Sequence, residues 1–359
     1  MPDNSAQNTL LLHCLSQLTL NPGKADDAIR YLNGLDEQGR EHFESVADSN
    51  HVVVRALQAA LPKLEAGSAQ ARWATEVIAR QEQRIQNALP VLQRICSELE
   101  DAGCATTVMK SLDHWPDLGN DLDLYTTGDE KQVKKVMVTR MNARVDARSW
   151  GDRLANKWNF EIPGLPELIE VHAQRLGQTG EQRQMARRFV TRRVSKTIDG
   201  FTFLVPASEE RVIVATLQRM YRHFYFRVCD IVNTATLLEA GEIDFVELRQ
   251  AAELGGIWNG VASYLKIVCD YVRKYCGAAP QLPAEVLQAA RCGGDVVYVG
   301  GRFLRVPVMP NGAELYTRQI FEVASKRDIP AMVRLSLLPP LASAAAVAYK
   351  LTGSDKGVW

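Results

Sequence analysis

The sequence predicts an α/β protein of the α+β type, in which helical N- and C-terminal domains flank a core with a mixed β-sheet. Two observations carry this prediction. Short apolar runs with alternating polar residues, typical of half-buried strands, fall between residues 106 and 205. Apolar residues recur at helical spacing on both sides of that segment. We therefore expect a helical module over residues 1–66, a core over 67–205 and a helical domain over 206–359.

The N-terminal module shows two amphipathic stretches and no group that predicts catalysis. Their apolar positions are Leu10, Leu11, Cys14, Leu15 and Leu18, then Val53, Val54, Leu57 and Leu61. Residues 66–68 read as a linker, and a long helix follows over 69–99. Pro90 predicts a kink or break in it, because proline removes a helical hydrogen bond and clashes with the preceding turn.

The core alternates strands with one clear helix. Residues 106–110 predict a strand, which passes through a turn-rich stretch at 113–120 into a second strand at 121–125. Residues 129–141 predict an amphipathic helix. Further strands are expected at 143–149, 157–162, 167–173, 193–198 and 201–205.

The pattern after Pro206 is again helical. Asp244 is expected to cap one helix, and residues 256–276 predict a long one. Residues 296–308 predict a small hairpin around a Gly-Gly pair. Residues 335–349 predict a buried terminal helix rather than a membrane contact, since they fall short of the roughly 20 residues that a span needs.

Composition indicates a globular cytoplasmic protein. Lys plus Arg and Asp plus Glu both number 42, so the chain lacks the basic excess typical of nucleic-acid-binding proteins. The start of the chain lacks the basic residues of a signal peptide. The odd number of scattered cysteines predicts free thiols rather than disulfides or a zinc site. They stand at positions 14, 96, 104, 229, 269, 276 and 292.

Asp121 and Asp123 form the most informative motif of the chain. Two residues apart on a strand, they project from the same face. Two carboxylates so close repel each other unless a cation lies between them. Mg²⁺ is the usual partner of such carboxylates, shared with substrate phosphates. A solvated strand face is the alternative interpretation.

Glu170 strengthens the metal interpretation. It lies on the predicted strand at 167–173, on the same face as His172. With Asp121 and Asp123 it would complete a set of three acids, as a two-metal site for phosphoryl or nucleotidyl transfer requires. Glu170 is alternatively the base that takes a proton from an acceptor hydroxyl. We interpret His172 as a structural histidine.

The order of these motifs resembles the nucleotidyltransferase superfamily of the polymerase-β type, and within it a poorly characterised bacterial group. The matching stretches are Met109-Lys110-Ser111, Asp121-Leu122-Asp123-Leu124, Glu170-Val171-His172 and the predicted helix at 221–231. The likeness covers roughly residues 90 to 280. It implies a polymerase-β-like core, Mg²⁺ or Mn²⁺ as cofactor and an NTP such as ATP as substrate. It also implies transfer of the nucleoside monophosphate to a hydroxyl or phosphate of a small molecule, a protein or an RNA.

Two departures from the family pattern bear on how a triphosphate is held. Lys110-Ser111 replaces the glycine pair, and Gly119-Asn120 stands where an arginine is usual. Lys110 either neutralises a phosphate or pairs with Asp121, and Ser111 offers a hydroxyl or an N–H. A degenerate binding module is therefore one alternative function. A glycosyltransferase with an Asp-x-Asp motif is another, although it would need a nucleotide-binding unit before the acids.

Arginines after Pro206 are the expected substitutes for the glycine pair. Arg222 and Arg227 are predicted to face the acids across a cleft and to bind the triphosphate, because guanidinium groups match phosphate geometry. Arg227 alternatively pairs with Asp230, three residues along the same predicted helix. The basic run at 187–193 is interpreted as a solvated face, with RNA contact as the alternative.

Overall fold

Four helices form the N-terminal module of the computed structural model, which describes residues 5–352. They are α1 (Ser5–Leu20), α2 (Asp26–Asn33), α3 (Glu37–Ser49) and α4 (Val53–Ala60). Their apolar faces, including Leu15 and Leu57, are fully buried in one hydrophobic core. The helical interpretation of this segment is confirmed.

The long helix α5 (Ala69–Asp101) links this module to the sheet. The Ser68 hydroxyl caps it by accepting a hydrogen bond from the Ala71 N–H. A kink or a break is expected at Pro90, and the break is wrong, because α5 continues through the proline. Leu89 and Leu92 are buried on either side of it, and this burial offsets the one hydrogen bond that proline removes.

Five strands form the central mixed sheet, which confirms the α+β class. They are β1 (Thr106–Val108), β2 (Asp121–Thr126), β3 (Arg144–Val145), β4 (Lys157–Glu161) and β5 (Leu168–Ala173). Their spatial order is β1-β2-β5-β4-β3. β2 and β5 are parallel, while each other neighbouring pair is antiparallel.

The two faces of the sheet contact different hydrophobic cores. Leu122, Leu124 and Val171 point into a core shared with α5 and with α6 (Glu130–Arg140). Tyr125 points the other way and contacts Phe189 in the main core. Because side chains alternate along a strand, the acidic residues of β2 and β5 project from the Tyr125 face.

The predicted strand at 143–149 is shorter than expected. Only Arg144–Val145 pairs, because Ser149 begins the helix α7 (Trp150–Ala155). Ser149 and Asp152 form a reciprocal capping box, each side chain accepting the other's backbone N–H. The helix α8 (Gln184–Thr191) and the hairpin β6 (Arg193–Ile198) to β7 (Phe201–Pro206) complete the core segment.

The C-terminal segment is mostly helical. Its elements are α9 (Ser208–Thr216), a π-helical turn (Leu217–Arg222), β8 (Tyr225–Phe226), α10 (Val228–Glu239), α11 (Phe245–Leu254), α12 (Trp258–Cys276), α13 (Ala284–Ala289), β9 (Tyr298–Gly300), β10 (Phe303–Arg305), α14 (Ala313–Ser325), α15 (Ile329–Ser336) and α16 (Leu338–Thr352). Asp244 caps α11 and β9–β10 form a hairpin, as predicted.

Two helix predictions in this segment need correction. Residues 221–231 do not form one helix, because Phe224 has a φ of 53° and β8 pairs with β10 before α10 begins. Residues 335–349 are largely helical as expected, but the described part of this segment is mostly exposed rather than buried. One helix ends at Ser336 and the next begins at Leu338, and Pro340 and Ala344 are exposed. Over residues 5–352, no helix has the length and apolarity that a membrane crossing requires.

The main hydrophobic core crosses both predicted domain boundaries. It joins residues of α1 to residues of α10 and α12. The Ser16 hydroxyl lies 2.8 Å from the Tyr271 hydroxyl, and the Asn50 side chain donates a hydrogen bond to Arg302 O. The N-terminal helices therefore pack directly on the C-terminal ones, beside the sheet.

Candidate functional site

The strand pairing places Asp123 and Glu170 side by side. They are register partners in the parallel pair β2–β5, so their side chains project from one face. Both are largely buried, and His172 lies two residues further along β5. One ligand atom from each of Asp123, Glu170 and His172 lies within 4.8 Å of the other two. The predicted adjacency of Asp123 and Glu170 is confirmed.

Asp121 lies at the exposed start of β2, outside that group of three. It still belongs to the same electrostatic site. Partial burial and the Glu170 charge raise the pKa of Asp121, while Lys110, Lys157 and Arg227 oppose that rise. The carboxylate therefore lies within electrostatic reach of Glu170 and of three cations.

Two lysines neutralise the buried acids. Lys110 Nζ lies 2.6 Å from Asp123 Oδ1, so its pairing partner is Asp123 rather than the predicted Asp121. Lys157 enters from β4 and bridges two carboxylates, with Nζ 3.0 Å from Glu170 Oε2 and 2.9 Å from Asp152 Oδ1. The site thus combines four carboxylates with two ammonium groups at short range.

The two buried carboxylates titrate in opposite directions. Burial raises the pKa of Asp123 to about 7, with Glu170 and Asp121 adding to the effect and Lys110 opposing it. Burial acts in the same sense on Glu170. There, however, the His172 hydrogen bond and the Lys157 and Lys110 charges hold the pKa well below its usual range. Near neutral pH, Glu170 is ionised and Asp123 is poised to gain or lose a proton.

His172 is oriented by Glu170. Its Nε2 lies 2.8 Å from Glu170 Oε1, and burial lowers the pKa of His172, so the ring is neutral. In the tautomer that donates from Nε2, the Nδ1 atom carries a lone pair. That Nδ1 is buried and has no hydrogen-bond partner. This nitrogen is therefore available as a metal ligand, because no hydrogen bond of the described residues uses it.

The chain turns sharply at Lys110 and Ser111, the two residues that the sequence resemblance aligns with a glycine pair. Lys110 adopts a φ of 48°, a region that favours glycine and costs about 1–3 kcal/mol for other residues. The Ser111 hydroxyl accepts a hydrogen bond from the Asp123 N–H at 2.8 Å and donates to Asp121 O. The Ser111 N–H bonds Met109 O. Both groups proposed for phosphate binding are therefore engaged in holding β2.

The turn-rich loop before Asp121 is fixed from two sides. Asp117 accepts hydrogen bonds from the Val54 and Arg55 N–H groups at the start of α4. Arg84 of α5 donates to the carbonyl oxygens of Leu118 and Gly119. The loop that leads into the acidic strand is thus held by the N-terminal helices.

Both predicted arginines lie near the acids. Arg222 ends the π-helical turn and lines a narrow cavity of about 50 Å³ together with Lys110 and His172. The Arg227 charge acts on Asp121. Arg227 does not pair with the Asp230 side chain as one interpretation suggested. Asp230 instead accepts the Arg227 N–H and forms a buried ion pair with Arg219, Nε to Oδ2 2.7 Å.

His51 of the N-terminal module holds the Arg227 side chain. Arg227 Nη1 donates to His51 Nε2. Burial and the Arg227 charge lower the pKa of His51 well below its usual value, which keeps the ring neutral and able to accept. The ring stacks on His114 with centroids 4.9 Å apart.

The basic run at 187–193 is neither a solvated face nor free for RNA at three of its positions. Arg193 pairs with Glu100. Arg188 and Arg192 pair with Glu210 and Glu247, and Arg192 also pairs with Glu209. These pairs connect α8 to α9 and α11. The arginines therefore have a structural role.

Sequence reasoning missed three residues of the site, namely Lys157, Asp152 and His51. Lys157 begins a predicted strand, but only the order β5-β4 reveals that it reaches Glu170. Asp152 was assigned to no element, and its capping partner Ser149 was the available signal. His51 comes just before the second predicted amphipathic stretch, which starts at Val53, and nothing local connects it to Arg227.

The donor set fits a divalent cation in part. Carboxylate oxygens suit Mg²⁺ and Mn²⁺, while the imidazole nitrogen of His172 suits Mn²⁺ better than Mg²⁺. Asp123 keeps Oδ2 free of Lys110, but both oxygens of Glu170 already have partners.

Comparison of the chain with protein-family models, with curated proteins and with solved structures gives no match.

Proposed function

We propose that this protein is a metal-dependent nucleotidyltransferase of the polymerase-β type, which moves a nucleoside monophosphate from an NTP to an acceptor. The observation that carries the proposal is the pairing of Asp123 with Glu170 on adjacent parallel strands. Asp121 stands at the exposed edge of the same face. The sequence resemblance gives the reaction class.

The charge balance of the site supports a bound cation. Asp123, Glu170 and Asp152 share two lysines, while Asp121 forms no ion pair within the part of the chain that the structure describes. Burial is the main cause of the raised pKa of Asp123, and a divalent ion beside this carboxylate would offset the cost of ionising it there. Asp121, Asp123 and Glu170 would hold Mg²⁺ or Mn²⁺, with His172 as a further donor. The ion would supply charge stabilisation for the reacting phosphate.

The cationic side chains supply the phosphate contacts. Lys110 is a point charge at the acids, Arg222 lines the adjoining cavity, and Arg227 lies within electrostatic reach of Asp121. Arginine forks and a lysine ammonium together replace the backbone amides of the missing glycine pair. Glu170 is held ionised with a low pKa and binds protons weakly, so it is better suited as a metal ligand than as the base for an acceptor.

A second function is a non-catalytic nucleotide-binding module. One observation favours it: both oxygens of Glu170 are already bound, one by Lys157 and one by His172. If Lys110 and Lys157 take the place of the metal ions, the protein would bind a nucleotide but would not transfer its nucleoside monophosphate to an acceptor. The two functions differ in whether a metal ion causes the bound NTP to react and release pyrophosphate.

Transfer from NTPs with a labelled α-phosphate tests the proposal. The protein is incubated with each of the four NTPs, Mg²⁺ or Mn²⁺, and a fractionated small-molecule extract. Labelled product and pyrophosphate should appear together only with metal. Asp123→Asn should abolish both, whereas Glu161→Gln, at the end of β4 in the same sheet and ion-paired with Arg144, should retain them.

Three results distinguish the functions. Metal-dependent release of pyrophosphate that Asp123→Asn removes supports the transferase. Equal NTP binding with and without EDTA, and no pyrophosphate with any acceptor fraction, assigns the binding module. Absence of NTP binding in calorimetry refutes both.

A further inference from the structure

A second, larger cavity adjoins the acidic site. It has a volume of about 470 Å³, within the range of pockets that bind small organic ligands. Gln178, Tyr221, Arg222 and Leu338 line both this cavity and the narrow one that contains Lys110 and His172. The two spaces are therefore neighbours that share one wall.

Polar and apolar groups are segregated along the cavity. The shared wall carries Gln178 and Arg222. The remaining lining is largely apolar, and it consists of His223, Phe224, Val308, Gly312, Ala313, Tyr316, Pro339 and Ala342. The Tyr316 hydroxyl is already used, since it donates to Leu335 O at 2.6 Å. Burial and the Arg222 charge lower the pKa of His223 to about 2, so this ring is neutral.

Arg222 is the cation between the two spaces. Among the residues that the structure describes, its side chain has no ion pair and no hydrogen bond. It ends a π-helical turn, a form often found at functional sites. A half-buried arginine without a partner favours an anionic ligand group at this position.

We propose that this cavity binds the acceptor, and that the acceptor is a soluble organic monophosphate with an aromatic or short aliphatic body. The body lies against Phe224, Val308 and Ala342, and the phosphate lies at Arg222, whose guanidinium lines both cavities and would contact the acceptor phosphate on one side and the NTP phosphates on the other. The identity of the ligand as acceptor rests on the proposed transferase function. The existence of the binding site does not.

The reaction balances without a further reagent. A phosphate oxygen of the acceptor forms a bond to the α-phosphorus of the NTP, and the bond between that phosphorus and the bridging oxygen of the leaving pyrophosphate breaks. No atom is oxidised or reduced. The product is a nucleoside diphosphate ester of the acceptor body, together with pyrophosphate.

A nucleobase fits this cavity less well. The edge of a base carries several hydrogen-bond donors and acceptors, and burying them unpaired is unfavourable. The wall formed by Val308, Ala313, Pro339 and Ala342 offers side chains without such groups. An apolar body leaves nothing unsatisfied there.

Fluorescence of 1-anilinonaphthalene-8-sulfonate, an aromatic body with one anionic group, tests the site in the absence of metal and nucleotide. We expect saturable binding at one site. Octyl phosphate should displace the probe at least tenfold more effectively than octanol or inorganic phosphate, because only it matches both ends of the cavity. Arg222→Ala should weaken probe binding at least fivefold, and Arg222→Lys should restore part of it.

Two cavity-filling variants locate the site. Ala342→Trp and Val308→Trp should each weaken probe binding at least tenfold, with thermal melting confirming the fold. The matched control Ala344→Trp, two residues away on the same helix and outside the cavity lining, should stay within twofold of the parent.

The outcomes separate this inference from the proposed function. Unchanged probe binding in both filled variants overturns the cavity as a ligand site. Displacement by metal-free ATP but not by octyl phosphate assigns the cavity to the nucleotide and also overturns the inference. Probe binding that behaves as expected, together with no pyrophosphate release in any assay, refutes the transferase and retains the ligand site.

Discussion

Lys157 reaches Glu170 across the antiparallel pair β4–β5, with Nζ 3.0 Å from Oε2. The Lys157 ammonium occupies the position beside Glu170 Oε2 that a metal ion bound by Glu170 would need. Its own pKa is raised, because Glu170 and Asp152 outweigh the effect of burial, so it stays charged at neutral pH. Metal binding and the lysine therefore oppose each other at one carboxylate.

Lys157→Met should raise the affinity for Mn²⁺ at least fivefold, because it frees Glu170 Oε2 and removes one positive charge. Calorimetry measures the affinity. The same change should lower the free energy of unfolding by about 3 kcal/mol, the scale for breaking a buried ion pair. Lys135→Met, exposed on α6, should alter neither quantity. Weaker Mn²⁺ binding in Lys157→Met would mean that the lysine supports the metal site.

Metal binding should depend on pH through Asp123. Its pKa is raised to about 7, so the carboxyl is protonated below that value and must lose its proton to bind a cation. Affinity should therefore be constant above pH 8 and fall roughly tenfold for each pH unit below 7. Calorimetric titration with Mn²⁺ at pH 8, 7 and 6 measures this. A flat profile would show that Asp123 is not a ligand.

Asp121→Asn should separate chemistry from stability. Asp121 is exposed at the start of β2, so its substitution should change the free energy of unfolding by no more than about 0.5 kcal/mol. Nucleotide transfer should nevertheless be lost, because the carboxylate is a proposed metal ligand. Urea denaturation and the labelled-NTP assay give the two readouts. An active Asp121→Asn protein would remove Asp121 from the site.

Strand alternation is a local property, so the sequence could predict which residues share a face within one strand. It predicted that Asp123 and Glu170 each lie on a short alternating run, whereas the parallel pairing of β2 with β5 that brings them together is a feature of the sheet order. The contact of Lys157 with Glu170 depends on which strand lies beside β5, which no local pattern specifies. The end of the helical segment at Arg222 could not be predicted for a related reason. Tyr225 and Phe226 pair with a hairpin about eighty residues later, and this pairing overrides their helical spacing.

The free energy of unfolding should depend strongly on the buried pair of Arg219 and Asp230. Asp230 also accepts the Arg227 N–H at the start of α10. Asp230→Ala leaves a buried guanidinium without its partner, so we expect a loss of about 3–5 kcal/mol in urea denaturation. The exposed Arg249 provides the control. Arg249→Ala, which breaks solvent-exposed pairs with Glu253 and Glu285, should leave the midpoint of urea denaturation almost unchanged.

The contact between His51 and Arg227 predicts that the N-terminal module contributes to nucleotide binding. Arg227→Ala should weaken NTP binding by about 1.5–3 kcal/mol, the range for a hydrogen bond to a charged group. His51→Ala removes the acceptor that orients Arg227, so it should weaken NTP binding by a smaller amount. His51→Gln, which keeps an acceptor, should recover part of the loss. His42→Ala, elsewhere in the same module, should have no effect on NTP binding.

A double-mutant cycle decides whether His51 acts through Arg227. Once Arg227 is alanine, His51 has no guanidinium to orient, so His51→Ala should then change the NTP dissociation constant less than twofold. Calorimetry with the NTP and Mn²⁺ gives all four affinities, and melting temperatures show whether each variant is folded. If the two effects simply add, His51 influences binding by another route, and Arg227 does not depend on the N-terminal module for its position.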